Sequence, residues 1–412
     1  MEIGLDDVKL TFAGWLDIKT HEVVDVVLGT IIANDFNADP LSLYLIGPPS
    51  VGKTEILRAL NGHPKVYPIS TLTPNTFISG MKGKAVSLLP TLTKDGKTIL
   101  VVKDFTTILE TKADSRAELI SQIREIMDGS YKKSFGTGRT VAWEGKLALI
   151  CGVTPVIDKY HSVNSILGER FINFRLDANQ TDRMSEKAFV MAGRETAMRR
   201  ELQEVTAQFL SQFKDVALNK IHLSEEVRKK LFALTSLIAK RRTGVSRDRY
   251  TRTIDYFPQP EGTPRLLKQL WILGAGIAAI QNKDELDEEV FRILLKVGRD
   301  CLPNHRDRIL QTMFQDSLRG MKWETTKGLS RLINCPTTTA RLYFEDLMMV
   351  RLLDRRIQGE DEEGDDWKTR DTIAYLWRLS QECVDLIERC GVYEQGTGLE
   401  NDVDYNENSD FQ

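Results

Sequence analysis

The sequence predicts an α/β fold with a layered core, followed by an all-α segment and a smaller C-terminal domain. Three observations lead to this prediction. Short apolar runs at residues 41–46, 98–103 and 147–153 have the length and composition of strands buried in a parallel sheet. Apolar residues then recur at helical spacing through most of residues 183–300. Beyond them, residues 301–393 alternate between helical and strand-like runs.

Composition limits the classes of protein that this chain can represent. Its 412 residues predict two or three domains, and 41% hydrophobic with 28% charged residues is ordinary for a globular protein. The formal net charge of -3 excludes a general excess of positive charge, so any nucleic-acid surface must be local. No apolar run approaches the roughly 18 residues of a membrane span, and no secretion signal precedes the first strand. Five scattered cysteines without Cys-x-x-Cys pairs indicate reduced thiols, so a cytoplasmic location is expected.

The loop after the first apolar run carries a phosphate-binding pattern. Residues 47–54 read Gly-Pro-Pro-Ser-Val-Gly-Lys-Thr, a full match to Gly-x4-Gly-Lys-Thr between a strand and a helix start. Backbone N–H groups of such a loop surround phosphates, Lys53 would reach the β- and γ-phosphates, and the Thr54 hydroxyl would ligate Mg²⁺. The predicted nucleotide-binding residues are Gly47, Pro48, Pro49, Ser50, Val51, Gly52, Lys53, Thr54 and Glu55.

The second and third apolar runs end in polar residues. Asp104 follows the second run, where nucleotide-hydrolysing folds place the carboxylate that holds Mg²⁺ together with Thr54. The next residue is Phe105, where a glutamate base is more usual, so the base is left open among Glu110, Asp128 and Glu169. Thr154 ends the third run, at the position of a γ-phosphate sensor.

Two further motifs follow in the same order as in a known family. Residues 168–171 read Gly-Glu-Arg-Phe, and residues 263–265 read Thr-Pro-Arg at the start of a helical run. Together with the phosphate loop, Asp104 and Thr154, this order resembles the AAA+ ATPases over roughly residues 22–300. The resemblance implies a P-loop NTPase of αβα architecture with an all-α lid, using ATP and Mg²⁺. It also implies a homo-oligomer, expected as a hexameric ring. The residues to which it gives catalytic roles are Lys53, Asp104, Thr154 (sensor 1), Arg170 (arginine finger towards the neighbouring subunit) and Arg265 (sensor 2).

A basic hairpin is predicted immediately before the third strand. Two β-prone arms surround Gly136-Thr-Gly138 within residues 131–143. A hairpin at this place resembles the pre-sensor-1 clade of AAA+ proteins, which includes the MCM replicative helicases and the Clp-type unfoldases. The resemblance implies that Lys132, Lys133 and Arg139 contact DNA in a central pore, whereas the plainer interpretation is a solvated hairpin.

A second candidate for substrate contact lies in residues 71–84. An aromatic-aliphatic-x-Gly segment here resembles the first pore loop of AAA+ rings, with Phe77 and Ile78 gripping the substrate and Lys82 and Lys84 favouring a polyanion. The alternative is a loop in which Phe77 packs inward.

The remaining segments complete the expected domain plan. Residues 22–35 predict a helix beside the nucleotide, and the basic run 240–252 is interpreted as a solvated loop or a phosphate-contacting surface. Residues 306–390 resemble a winged helix whose third helix presents Thr337, Thr338 and Arg341 to DNA, although the carboxylates of residues 360–366 at the wing would repel a phosphate backbone. The predicted boundaries are 1–36 for an N-terminal linker helix, 37–182 for the αβα core, 183–300 for the lid, 301–393 for the winged helix and 394–412 for a disordered acidic tail.

These features favour an ATP-hydrolysing ring that acts on DNA as a translocase, helicase or helicase loader. The plan resembles ATPases carried by phages and mobile elements, so a protein partner such as a helicase or replication factor is expected, and no membrane. One alternative is a protein-remodelling ATPase in which Phe77 and Ile78 grip polypeptide. Another is an ATP-gated assembly switch with weak hydrolysis, because Phe105 replaces the usual glutamate. A metabolic kinase would leave Arg170 and Arg265 unexplained.

Overall fold

The chain folds into two compact units, residues 1–303 and residues 304–412. The structure is a computed structural model, and none of the helices in its described segments is long and apolar enough to cross a bilayer. The described residues are 3–18, 21–79, 87–136, 138, 140–160, 170–176, 181–214, 216–248, 250–317, 323–358 and 374–393.

The first unit surrounds a parallel sheet with helices. Its described elements are α1 (Leu5–Trp15), α2 (Glu22–Ala33), β1 (Ser42–Ile46), α3 (Lys53–Ala59), β2 (Val66–Ile69), α4 (Leu88–Lys94), β3 (Ile99–Val102), α5 (Thr106–Leu109), α6 (Ala113–Met127), β4 (Ser130–Ser134), β5 (Thr140–Glu144), β6 (Ala148–Val153), β7 (Phe171–Arg175), α7 (Thr181–Val190), α8 (Glu195–Leu210), β8 (His222–Leu223), α9 (Glu225–Arg241), α10 (Thr263–Ile280), β9 (Glu285–Leu286) and α11 (Glu288–Asp300).

The central sheet has the strand order β2-β3-β6-β1-β7. All neighbours pair in parallel, with Leu43 opposite Ile150 on one side of β1 and Ile172 on the other. Strands β1, β3, β6 and β7 are buried along their whole length, which explains why the first three read as continuous apolar runs. This sheet confirms the predicted α/β core, and it brings the residues after β1, β3 and β6 to one edge.

The predicted hairpin is present directly before β6. Strands β4 and β5 pair antiparallel, with Tyr131 opposite Trp143. Both rings are buried in the core, and Trp143 Nε1 donates a hydrogen bond of 2.8 Å to Thr93 Oγ1. The base of the hairpin is therefore fixed to the sheet layer, while Ser134 and Thr140 at its outer end are exposed.

Helix α2 packs against α10. Every residue from Val23 to Ala33 is buried, and a Cβ atom at Gly276 of α10 would lie well inside van der Waals contact with the backbone oxygen of Gly29. Asp25 joins these helices to α1, because it accepts from Lys9 at 2.7 Å and from Gln281 at 3.0 Å. The expectation that this helix lies beside the nucleotide stays a prediction. It fills the space between the sheet and the later helices.

The helices after β7 form two groups within the same unit. Helix α8 packs against α3 and α1, whereas α9, α10 and α11 pack on one another, with α10 against α2 and α11 against β7. The sequence pattern shows that these segments are helical but not that they divide in this way, because the division depends on long-range packing.

The basic run 240–252 is not simply solvated. Arg241 and Arg242 are fully buried, and the Arg242 guanidinium donates from Nε to Glu261. Both interpretations of this run from the sequence placed its charges on the surface, and for these two arginines that is wrong. Their position at the end of the amphipathic helix α9 turns them into the core, where long aliphatic stems also pack.

The second unit combines helices with a small antiparallel sheet. Its described elements are α12 (Asn304–Ser317), β10 (Glu324–Thr325), α13 (Thr326–Leu332), α14 (Thr337–Met349), β11 (Leu353–Ile357), β12 (Tyr375–Leu379) and α15 (Gln381–Cys390). The strand order is β10-β12-β11, and Trp377 of the middle strand is fully buried against Phe344 of α14. The acidic residues 360–366 and the tail 394–412 lie outside the described residues.

Candidate nucleotide-binding site

The loop between β1 and α3 has the backbone that its sequence pattern requires. Gly52 has φ 84° and Ser50 has φ 69°, both in the left-handed region, which lets successive N–H groups face inward. A Cβ atom at Gly47 would lie 2.8 Å from Val51 Cγ2 and 3.3 Å from Leu176 Cβ. Glycine is therefore needed at Gly47 and at Gly52. Ser50 instead adopts a left-handed conformation that costs an L-residue about 1 kcal/mol.

Lys53 lies inside the curve of this loop. Its Nζ donates hydrogen bonds of 2.5 Å to the backbone oxygens of Gly47 and Pro48. Burial lowers the pKa of the Lys53 ammonium, and the nearby charge of Asp104 opposes that shift. The predicted phosphate-binding lysine therefore lies at the same edge of the sheet as the predicted Mg²⁺ carboxylate, within reach of its charge.

Asp104 and Thr154 are joined through a residue that the sequence patterns did not single out. Asp104 Oδ1 accepts from the backbone N–H of Thr106 at 2.9 Å. The hydroxyl of Thr106 accepts from the backbone N–H of Thr154 at 3.0 Å and lies 3.3 Å from the Thr154 hydroxyl. Thr106 therefore fixes the polar ends of β3 and β6 to each other, and no local sequence signal identifies it because the contact spans the sheet.

Phe105 belongs to the core rather than to the edge of the sheet. Its ring is buried and lies 5.2 Å from the Tyr44 ring, measured between centroids. The position that usually supplies a glutamate base therefore offers no polar side chain. Of the substitute bases, Glu110 is exposed at the end of α5, and Glu169 lies outside the described residues.

A cavity of about 320 Å³ opens beside the phosphate loop. The loop and the start of α3 form one wall, residues 15–18 a second, and α7 with α8 a third. Trp15 Nε1 donates to Glu201 at 3.0 Å, and Lys187 donates to the backbone oxygen of Ala13, so the second and third walls are tied together. The third wall carries Met184, Met191 and Met198, whose flexible thioethers suit contact with a flat ring. Phosphates at the loop and an apolar ring between the other walls would match these surfaces.

Glu55 was predicted to contact the nucleotide, but its carboxylate is held elsewhere. It accepts from Arg58 at 2.6 Å and from Arg199 of α8 at 2.9 and 3.1 Å. The side chain therefore connects α3 to α8, and the part of Glu55 that faces the loop is its backbone at the helix start.

Arg170 and Arg265 are brought together around Asp128, at the end of α6. Arg170 donates from Nε and Nη2 to the two carboxylate oxygens of Asp128 at 2.9 and 2.6 Å. The hydrogen bond from Arg170 is the largest influence that lowers the pKa of Asp128, and Arg265 and Arg124 act in the same direction. A carboxylate with a lowered pKa is a poor proton acceptor, so the prediction of Asp128 as a base is not favoured by this geometry. Asp128 does not act on Lys53, whose pKa is influenced by the charge of Asp104.

The predicted pore residues are mostly unavailable at the surface. Phe77 and Ile78 are 0% exposed and belong to the hydrophobic core between the sheet and α4 and α6, so their prediction as substrate grips is wrong. Lys133 donates to Glu118 at 3.2 Å and to the Pro74 oxygen at 3.4 Å, whereas Lys132 is exposed. Lys82, Lys84 and Arg139 lie outside the described residues.

Comparison with known proteins identifies the segment that carries this site. Residues 43–175 match the family model described as "ATPase family associated with various cellular activities (AAA)". This segment is an AAA ATPase domain. The AAA domain covers the phosphate loop, Asp104, Thr154 and Arg170, and ends with β7.

Curated proteins and solved structures give two further comparisons. A search of curated proteins found no significant sequence match. Among solved structures, the chain is similar to a "putative ATPase" from Cytophaga hutchinsonii, with 13% sequence identity, a TM-score of 0.42, and coverage of 72% of this chain and 85% of that chain.

Proposed function

We propose that the protein binds Mg²⁺-ATP at the AAA domain and hydrolyses it. The observation that supports this most directly is the phosphate loop with Lys53 inside its curve, at the same edge of the sheet as Asp104 and beside a cavity with an apolar end. Thr154 is held at the same edge through Thr106, where it can sense the terminal phosphate.

The residues present fit a magnesium ion held mainly by its substrate. Thr54 offers a hydroxyl and Asp104 an exposed carboxylate, both oxygen ligands of the kind that Mg²⁺ prefers. Among the described residues there is no cluster of three or more His, Cys, Asp or Glu side chains that would form an all-protein site. Phosphate oxygens and waters would complete the shell, and the ion would neutralise charge on the phosphates.

The arginines around Asp128 support a shared active site in an oligomer, with a hexameric ring as the expected form. Arg124 of α6, Arg170 before β7 and Arg265 of α10 all lower the pKa of Asp128, and burial followed by the charges of Arg170 and Arg265 lowers the pKa of Arg124. Such a concentration of guanidinium groups suits a phosphate presented by a neighbouring subunit. Arg170 would then act in trans on the transferring phosphoryl group.

Mixing two inactive variants tests hydrolysis and the shared site together. Lys53→Ala should abolish turnover, and Arg170→Ala should lower it roughly a thousandfold, as loss of an arginine finger does. Mixed oligomers should regain part of the activity, because an intact phosphate loop can then face an intact Arg170. Arg200→Ala, which removes an exposed arginine from α8, is the matched control and should behave as wild type. Failure of the mixture to regain activity, with both variants assembled, would exclude Arg170 as a finger in trans.

Action on DNA is the second part of the proposal. Lys132 is exposed on the hairpin, and the second unit has the helix–sheet order of a winged helix, with α14 followed by a β11–β12 pair and β10 alongside. We infer a translocase, helicase or loader that works with a replication partner of a phage or mobile element. Stimulation of ATP turnover by single- or double-stranded DNA, lost in Lys53→Ala, is the expected result. Turnover that no DNA alters would contradict it.

An ATP-gated assembly switch is favoured by one observation, the burial of Phe105. If the chain lacks an effective base, ATP should bind and drive assembly with negligible turnover under every condition. The protein-remodelling alternative, by contrast, loses its basis because Phe77 and Ile78 are buried.

A further inference from the structure

The loop between α9 and α10 displays aromatic rings that the fold does not use. Tyr250 is 87% exposed and Phe257 is 84% exposed, with Tyr256 also on the surface. Large rings normally contribute to a core, and three exposed rings within one loop favour a binding surface. We call residues 243–262 the exposed loop; Arg249 within it lies outside the described residues.

The tip of the exposed loop has a defined conformation. Asp248 Oδ1 accepts from the backbone N–H groups of Tyr250 and Thr251 at 2.9 and 2.7 Å. Arg247 and Ile254 form an antiparallel bridge, and Arg247 Nη1 donates to the backbone oxygen of Arg252 at 2.7 Å. The Tyr250 ring is therefore presented on an ordered turn, which reduces the entropy lost when a partner binds.

The base of the exposed loop is fixed as well. Arg242, at the end of α9, forms its buried ion pair with Glu261, just before α10 begins. This pair joins the two ends of the loop, and Arg241 and Arg242 anchor it in the core. The exposed loop is thus fixed at its base and at the turn that carries Tyr250, with aromatic groups on the surface.

The chemistry of the tip selects a partner. Arg252 is exposed next to the ordered turn, and it forms no ion pair with another described residue. A cation beside solvent-facing rings matches a ligand that has both negative charge and flat faces, which is the combination found in unpaired nucleotides. An acidic peptide would satisfy the arginine but not the rings.

We propose that the exposed loop binds single-stranded nucleic acid, with a base stacked on Tyr250 and a phosphate paired with Arg252. Phe257 offers a second ring for a neighbouring base. This inference rests on the proposed action on DNA, and it moves the contact away from Phe77 and Ile78, which are buried, and from Lys133, which is paired within the subunit.

Binding of the full chain to a fluorescent oligo-dT strand, followed by anisotropy, tests the assignment. Tyr250→Ala combined with Arg252→Gln should raise Kd at least about fivefold, because one base–aromatic stack accounts for that much. It should also reduce the slope of log K against log salt by about one, for one lost phosphate contact. Tyr250→Phe alone should bind as wild type, because the ring is kept. An abasic strand of equal length should bind wild type at least as weakly as Tyr250→Ala binds oligo-dT, because it can stack on neither Tyr250 nor Phe257.

The matched control removes an arginine and an aromatic ring from the helix that precedes the exposed loop. Arg228 and Phe232 are partly exposed on α9, with the guanidinium 5.7 Å from the ring centroid. Arg228→Gln with Phe232→Ala should leave Kd unchanged.

Equal affinity of wild type and the Tyr250/Arg252 variant would overturn the inference while leaving the proposed action on DNA intact. Loss of oligomer formation in that variant, with DNA affinity per subunit retained, would also overturn it and make the exposed loop a subunit contact. A wild-type protein that binds no single strand would overturn this inference, whereas the proposed action on DNA would be overturned only if duplex DNA also left ATP turnover unchanged.

Discussion

Arg170 is held by Asp128 of its own chain through two parallel hydrogen bonds. Two-point contact fixes the plane of the guanidinium as well as its position, which a single contact does not. Because Asp128 is partly exposed, the value of this pair lies more in orientation than in stability. In the proposed shared site, Asp128 would be the residue that positions Arg170.

Asp128→Asn tests this role at the level of one residue. It should lower kcat while leaving the affinity for ATP unchanged, since Lys53 and Asp104 are untouched. The pKa of Asp128 is lowered in the folded chain, so its stabilising contribution is complete above the unfolded-state value and is lost as pH falls through the folded-state value. The difference in unfolding free energy between wild type and Asp128→Asn should thus be present at pH 7 and vanish at strongly acidic pH. Urea unfolding at several pH values measures it, and a difference that grows on acidification would contradict the assignment.

The β4–β5 hairpin is an element whose two ends have different roles. Tyr131 and Trp143 fix its base in the core, so only its outer part is free to meet a substrate. Burial, followed by the charges of Glu125 and Glu118, raises the pKa of Tyr131 to about 12. The hairpin should therefore be sensitive to alkali.

Tyr131→Phe should remove that sensitivity. Between the ordinary tyrosine pKa of 10.0 and about 12 the unfolded chain ionises this phenol while the folded chain does not, so the folded state binds more protons and loses stability as pH rises. The free energy of unfolding of wild type should fall, relative to Tyr131→Phe, between pH 10 and 12. Guanidinium unfolding at pH 8 and pH 11 checks this. An equal change in the free energy of unfolding of the two proteins would show that the folded chain does not protect the Tyr131 phenol from ionisation.

The crossing of α2 and α10 depends on two glycines. Gly276→Ala would place a methyl group against the Gly29 backbone, which cannot move without shifting the whole helix, so a loss of about 1–3 kcal/mol is expected. Gly14→Ala in α1 is the control, because nothing lies within 4 Å of its Cβ position; it should be neutral or stabilising by up to about 1 kcal/mol. Denaturant unfolding compares the two. Equal effects would mean that the helices do not approach as closely as described.

At the scale of the molecule, the nucleotide site and the small sheet belong to different compact units. A ligand that binds only the folded form stabilises it by about 2.7 kcal/mol at a hundred times its Kd. ATP should therefore raise the unfolding temperature of the unit with residues 1–303 and leave that of residues 304–412 unchanged. Calorimetry with wild type and Lys53→Ala measures this, and an equal shift of both transitions would contradict it.

Local patterns were sufficient for the parts of the site that are contiguous in sequence. The loop from Gly47 to Thr54 and the acid after β3 lie where they were predicted, because strand, turn and helix signals coincide there. Phe77 could not be placed from sequence, since a ring in a loop can face either way until α4 and α6 pack against it. Thr106 and the methionines of the cavity were missed for a related reason: their partners are distant in the chain, and no short-range periodicity reports such contacts.

The three walls of the cavity come from segments that are far apart in sequence, residues 15–18, 50–55 and 184–198. A nucleotide seated between them would cross-link the N-terminal helix to the helices beyond β7, much as a disulfide joins distant loops, but reversibly. Each turnover would then release and restore that link. The proposed chemistry at the phosphates would thereby set the mechanical stiffness of the chain around its own N-terminus.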